Sequence, residues 1–106
     1  MKSEIINILT SKAYVKRHEL LLSLRVDGIF TNDRQLRATI EDLVMTDGVC
    51  IASTDHGYHL IRNQIELMNA VEYLKKKARP IAIRANKLIS NYRDAYGEQL
   101  NLTFDL

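Results

Sequence analysis

Tryptophan is absent from this 106-residue chain, proline and cysteine occur once each, phenylalanine twice and glycine four times. Each shortage excludes something. A single cysteine, Cys50, allows no internal disulfide, and with only His18, His56 and His59 beside it the chain shows no metal-ligand spacing. Four scattered glycines leave no phosphate-cradling loop, the acidic residues are dispersed, and no histidine stands near a candidate nucleophile; no enzyme, cofactor or metal is expected. No apolar run approaches the roughly 18 residues that cross a bilayer. Met1-Lys2-Ser3 leads into an amphipathic stretch and not a secretory leader, so a cytoplasmic protein without membrane contact is expected. Between Val49 and Ile51, Cys50 reads as a small buried hydrophobe.

What is present is divided by charge. Residues 1–61 carry seven Lys/Arg against eight Asp/Glu, a net −1. Residues 62–93 carry eight basic groups (Arg62, Lys75, Lys76, Lys77, Arg79, Arg84, Lys87, Arg93) against Glu66 and Glu72, a net +6. Asp94, Glu98 and Asp105 make the remainder −3, which closes the total of +2. Three electrostatic zones follow, and a chain of this length has material for one modest core plus appendages.

Periodicity places the elements. Ser3 is positioned to cap a first helix carrying Ile5, Ile6 and Leu9 and ending near Ser11 or Lys12. Tyr14-Val15 is too short for an independent strand but suits pairing at a sheet edge, and Lys16-Arg17 leads into a leucine-rich second helix, His18 to about Leu24. Val26-Asp27-Gly28 is a turn. Thr31 or Asn32 caps a third helix with Leu36, Ile40, Leu43 and Val44 on one face, and Gly48 stops it. Two strand-like runs, 49–52 and 58–61, flank the turn formers of 53–57 and predict a hairpin. The fold class is therefore mainly α with a small β-hairpin, in the chain order of a winged helix-turn-helix over residues 1–62 whose wing centres on Asp55-His56-Gly57.

Residues 63–96 predict a helical extension. Asn63 followed by Glu66 resembles a capping box, and Leu67, Val71, Leu74, Ala78, Ile81, Ala85, Leu88 and Tyr92 recur at spacings of three and four. Pro80 should kink this helix or split it into pieces of about 64–78 and 80–95. Such a stripe exceeds what the small domain can cover, which predicts a homodimer or a helical hairpin folding back at Pro80. Residues 97–106 read as an extended tail.

In a helix-turn-helix the exposed start of the third helix faces base edges, which here offers Arg34, Gln35 and Arg37; arginine can bond guanine, and glutamine adenine, in bidentate fashion. Asp33, Glu41 and Asp42 on the same helix would repel phosphates. The wing contributes to phosphate binding only when His56 is protonated, and His59 reads as structural. Lys75, Lys76, Lys77 and Arg79 form the strongest basic footprint, suited to double-stranded DNA backbone.

The stretch from Ser53 to Leu88, with its wing, Gly57-Tyr58, a polar cap, Tyr73-Leu74-Lys75 and Arg79, resembles the winged-helix proteins of bacteriophages and other mobile elements. That resemblance implies a small accessory DNA-binding protein. In the tail, Gln99-Leu100-Asn101-Leu102-Thr103-Phe104 is similar to the bacterial sliding-clamp-binding motif Gln-Leu-x-Leu-x-Phe. The resemblance implies that Gln99, Leu100, Leu102 and Phe104 anchor an extended peptide on the clamp, the glutamine at a pocket rim and the apolar side chains within. Three functions remain open: an accessory factor that touches DNA and the host clamp, a protein-interaction module that inhibits a replication protein without DNA, and a dimeric transcriptional regulator with a structural tail.

Overall fold

The computed structural model describes residues 1–97 and Thr103. In chain order the elements are α1 (Lys2–Ser11), α2 (Arg17–Val26), α3 (Asp33–Met45), β1 (Ile51–Thr54), β2 (Gly57–Leu60) and α4 (Gln64–Tyr96). The chain is mainly helical with a two-stranded antiparallel hairpin and a long C-terminal helix, as the sequence pattern predicts. It divides into two compact units, Met1–Leu67 and Met68–Leu106.

The first unit is built from short stripes. Ile5 and Leu9 on α1, Leu20 and Leu24 on α2, and Leu36, Ile40 and Leu43 on α3 recur at three- and four-residue spacing, so each helix turns one apolar face inward. Val15, Ile51 and Tyr58 close the same cluster from the hairpin side. Between α2 and α3 the chain turns through a Schellman motif. With Gly28 at φ +82°, its amide donates to the Arg25 carbonyl at 3.0 Å and the Ile29 amide to the Leu24 carbonyl at 2.9 Å. Asn32 then caps α3 by accepting from the Gln35 amide at 2.9 Å.

The hairpin pairs Ile51 with Leu60 and Thr54 with Gly57, leaving Asp55-His56 as a two-residue tip. Val15 adds a third line of pairing: its amide donates to the Tyr58 carbonyl at 2.9 Å and its carbonyl accepts from the Tyr58 amide at 2.8 Å. Gly57, at φ +111°, makes this approach possible, because a Cβ there would lie 2.6 Å from the Val15 carbonyl oxygen.

Several expectations are corrected. Ser3 lies inside α1, where its hydroxyl donates to the Glu4 carboxylate, because the helix already starts at Lys2. Val44 is exposed; Leu43 takes the buried place on the last turn of α3. Both strands are displaced from their expected bounds, since the two-residue tip moves the pairing toward Thr54 and Gly57. Cys50 is exposed, because it precedes β1 and the buried positions fall on Ile51 and Ala52.

α4 begins as expected, with the Glu66 amide donating to the Asn63 side chain at 2.9 Å and the Arg62 amide donating to the Glu66 carboxylate at 2.9 Å. It neither splits nor folds back at Pro80: one helix runs from Gln64 to Tyr96. A proline removes one rung of the ladder, and several intact turns on either side hold the remainder. None of its residues is buried.

Candidate nucleic-acid interface

α3 presents Arg34, Gln35 and Arg37 to solvent, because Leu36, Ile40 and Leu43 fix the opposite face inward. Gln35 is partly committed: the Thr31 hydroxyl donates to its side-chain oxygen at 2.9 Å, which leaves the amide hydrogens to meet a ligand. Two of the three acids that count against DNA on this helix are already paired. Asp33 lies 3.3 Å from the Arg17 guanidinium, and Asp42 lies 2.6 Å from the Lys2 ammonium, which also reaches Asp47 at 2.7 Å. Lys2 holds the Asp42 carboxyl below its ordinary pKa, and the two carboxylates raise Lys2 in turn.

The start of α2 is a basic turn that sequence reasoning did not place in the candidate site. Its N-cap is Lys16, which makes no side-chain capping bond, and the first turn opens with Arg17 and His18. Lys16, Arg17 and His18 oppose the helix dipole, and Glu19 in the same turn offsets part of their charge. A shallow recess of about 290 Å³ lies between this turn and the hairpin, lined by Lys16, Arg17 and His18 on one side and by Ser53, Thr54, Asp55, Gly57 and Tyr58 on the other, so one carboxylate shares it with the basic groups. Burial pushes the Tyr58 hydroxyl above its ordinary pKa, while the positive charges of Arg17 and Arg37 act on it in the opposite direction.

At the wing tip, His56 is exposed, its amide donating to the Thr54 hydroxyl at 3.2 Å. His59 is buried, with Nδ1 3.2 Å from the Leu60 carbonyl oxygen and the Tyr14 ring 4.7 Å away, which is a packing role. A second concavity in this unit, about 490 Å³, is largely apolar; Leu21, Leu22, Ile29 and Phe30 line it with His18, Arg25 and Thr31, and the Arg25 guanidinium lies 5.3 Å from the Phe30 ring.

Arg62 leaves the basic inventory. Its guanidinium donates to the carbonyls of Leu60 and Leu9 at 3.1 Å and of Lys12 at 3.4 Å, so it ties the end of α1 to the exit of the hairpin. In the second unit, Lys75, Lys76, Lys77 and Arg79 are all exposed on α4. At about 100° per residue they wrap the helix, with Lys75 and Arg79 sharing one side, and do not form a single ridge. Lys75 lies 3.5 Å from Glu72, and the Lys77 ammonium lies 4.8 Å from the centre of the Tyr73 ring.

Gln99, Leu100, Leu102 and Phe104 lie outside the described residues. Among the described residues no group of three His, Cys, Asp or Glu side chains is placed to hold a metal ion, and no helix is long and apolar enough to cross a membrane. No protein-family model, curated protein or solved structure matches the chain.

Proposed function

We propose that this chain is a small DNA-binding accessory protein of a bacteriophage or mobile element that acts in the cytoplasm in DNA replication or its control, by binding and not by catalysis. The observation that carries the reading is the outer face of α3. Arg34, Gln35 and Arg37 are presented together while Asp33 and Asp42 are neutralised by Arg17 and Lys2. In this reading α3 enters the major groove, Arg34, Gln35 and Arg37 meet base edges, and Lys16 and His56 meet flanking phosphates. Lys75, Lys76, Lys77 and Arg79 meet the backbone further along. The Gln99-Leu100-x-Leu102-x-Phe104 tail engages the bacterial sliding clamp.

Fluorescence anisotropy of a labelled duplex at two salt concentrations tests the DNA reading. Binding should weaken steeply with salt, with a log–log slope of about 0.9 for each phosphate the protein neutralises, so Lys16→Ala flattens it. Arg37→Ala should weaken binding by about 1–3 kcal/mol if it meets a base. No binding at low salt defeats the DNA reading and leaves the interaction module. Clamp binding is tested separately by truncation after Glu98: affinity that survives truncation, or is absent in the full chain, removes the clamp from the proposal.

A further inference from the structure

α4 runs unbroken from Gln64 to Tyr96, so its apolar positions can be placed on one continuous helical surface. Leu67, Val71, Leu74, Ala78, Ile81, Ala85, Leu88 and Tyr92 are separated by 4, 3, 4, 3, 4, 3 and 4 residues. That is a heptad repeat sustained through four repeats, with Leu67, Leu74, Ile81 and Leu88 at one seam position (d) and Val71, Ala78, Ala85 and Tyr92 at the other (a). The period is 3.5, which fits a second helix of comparable length and not a flat or globular surface. The seam is uncovered: the side chains of Leu74, Ile81 and Leu88 are more than 60% exposed. Pro80 falls at an outer position of the repeat, so its ring and missing amide lie away from the seam.

We propose that α4 pairs with α4 of a second copy of this chain in a parallel two-stranded coiled coil. A second copy supplies an identical seam over the same ~50 Å, and a two-fold axis brings equal heptads level without further specification. The flanking charges decide the direction. In a parallel pair, each flanking residue meets the one five positions on in the other helix. Lys77 then faces Ala82 of the second copy, Arg84 faces Ile89, and Lys75 faces Ala70, so no like charges are set together. An antiparallel pair that aligns the same seam places Lys77 beside Arg84 of the second copy, which is repulsive. The outer positions keep Lys76, Arg79, Lys87 and Arg93 away from the seam in both copies.

The seam itself contains none of the residues assigned to DNA, although Lys75 and Lys77 flank it, and the variants below leave both in place, so the two readings are tested separately. Sedimentation of the full chain should show a dimer. Leu74→Lys combined with Leu88→Lys should raise the dimer dissociation constant by roughly a hundredfold or more, whereas Ile83→Lys, at an outer position, should leave it unchanged. A wild-type chain that is monomeric at about 100 μM, a weak-association range, overturns the dimer. Equal dissociation by Ile83→Lys overturns the seam. Direction is read in a Cys50→Ser background. Mild oxidation of Leu88→Cys should give a covalent dimer through identical positions. Cross-linking of a Val71→Cys and Leu88→Cys mixture, with none in Leu88→Cys alone, overturns the parallel arrangement. Because the buried core lies in Met1–Leu67, an unchanged cooperative melt identifies each variant as folded.

Discussion

Within Met1–Leu67 each apolar stripe meets another: Ile5 and Leu9, Leu20 and Leu24, and Leu36, Ile40 and Leu43 share one cluster that Tyr58 completes. α4 carries a longer stripe and buries none of it. The difference lies in the length of the repeat and not in the kind of residue. Two or three apolar positions per helix suit a three-helix core, whereas eight along 33 residues exceed any neighbour within the domain and suit a partner of equal reach. One region therefore packs on itself, and the other leaves its stripe exposed.

The contrast can be broken most severely in the core. Leu24→Ala should cost about 2–5 kcal/mol in urea unfolding, while Leu74→Ala should shift the same transition by less than about 0.5 kcal/mol at concentrations where the chain is monomeric. Equal losses would mean that α4 belongs to the domain's own core. Arg62→Ala should cost about 1–2 kcal/mol, because carbonyls at the end of α1 lose a charged donor; Arg62→Lys should restore only part, since an ammonium cannot span them as the guanidinium does. Asn32→Ala should cost about 1 kcal/mol by uncapping α3, seen as a lower urea midpoint at unchanged slope.

The smallest effect is a pH dependence. The Asp42 carboxyl is depressed by Lys2, so its contribution is present above the ordinary value of 3.8 and is lost as pH falls through its lower folded value. Lys2 is raised, so its contribution is present below 10.5 and is lost as pH rises through its higher folded value. Thermal melts of Lys2→Met should therefore converge with wild type in strong acid and separate slightly at neutral pH. A constant separation down to pH values well below 3.8 would place the effect of Lys2 in packing.

Much of this was legible because local chemistry and global packing agree. The Leu36-Ile40-Leu43 spacing, the caps at Asn32 and Asn63 and the turn formers around Asp55 act over a few residues, so they are written in adjacent positions. The exposure of Cys50 was not legible: an apolar run gives no phase until the pairing register is known, and a one-residue shift turns a side chain to the other face. Nor was the continuity of α4 through Pro80, which depends on whether neighbouring turns outweigh one lost bond. The pairings of Asp33 with Arg17 and Asp42 with Lys2 join residues 16 and 40 positions apart in the chain. Composition counts those acids as free negative charge; only the fold shows them paired.

The close approach of Gly57 to Val15 also sets where this protein tolerates added length. The start of β2 is closed to any side chain, because a Cβ at residue 57 would lie 2.6 Å from a carbonyl oxygen, yet the Asp55-His56 tip is exposed and its lengthening need not alter the Tyr58–Val15 bonds. Foreign residues inserted between Asp55 and His56 should be accepted, whereas the same insertion after Gly57 would displace the third line of pairing. The hairpin is thus a graft point whose permissive and forbidden positions are two residues apart.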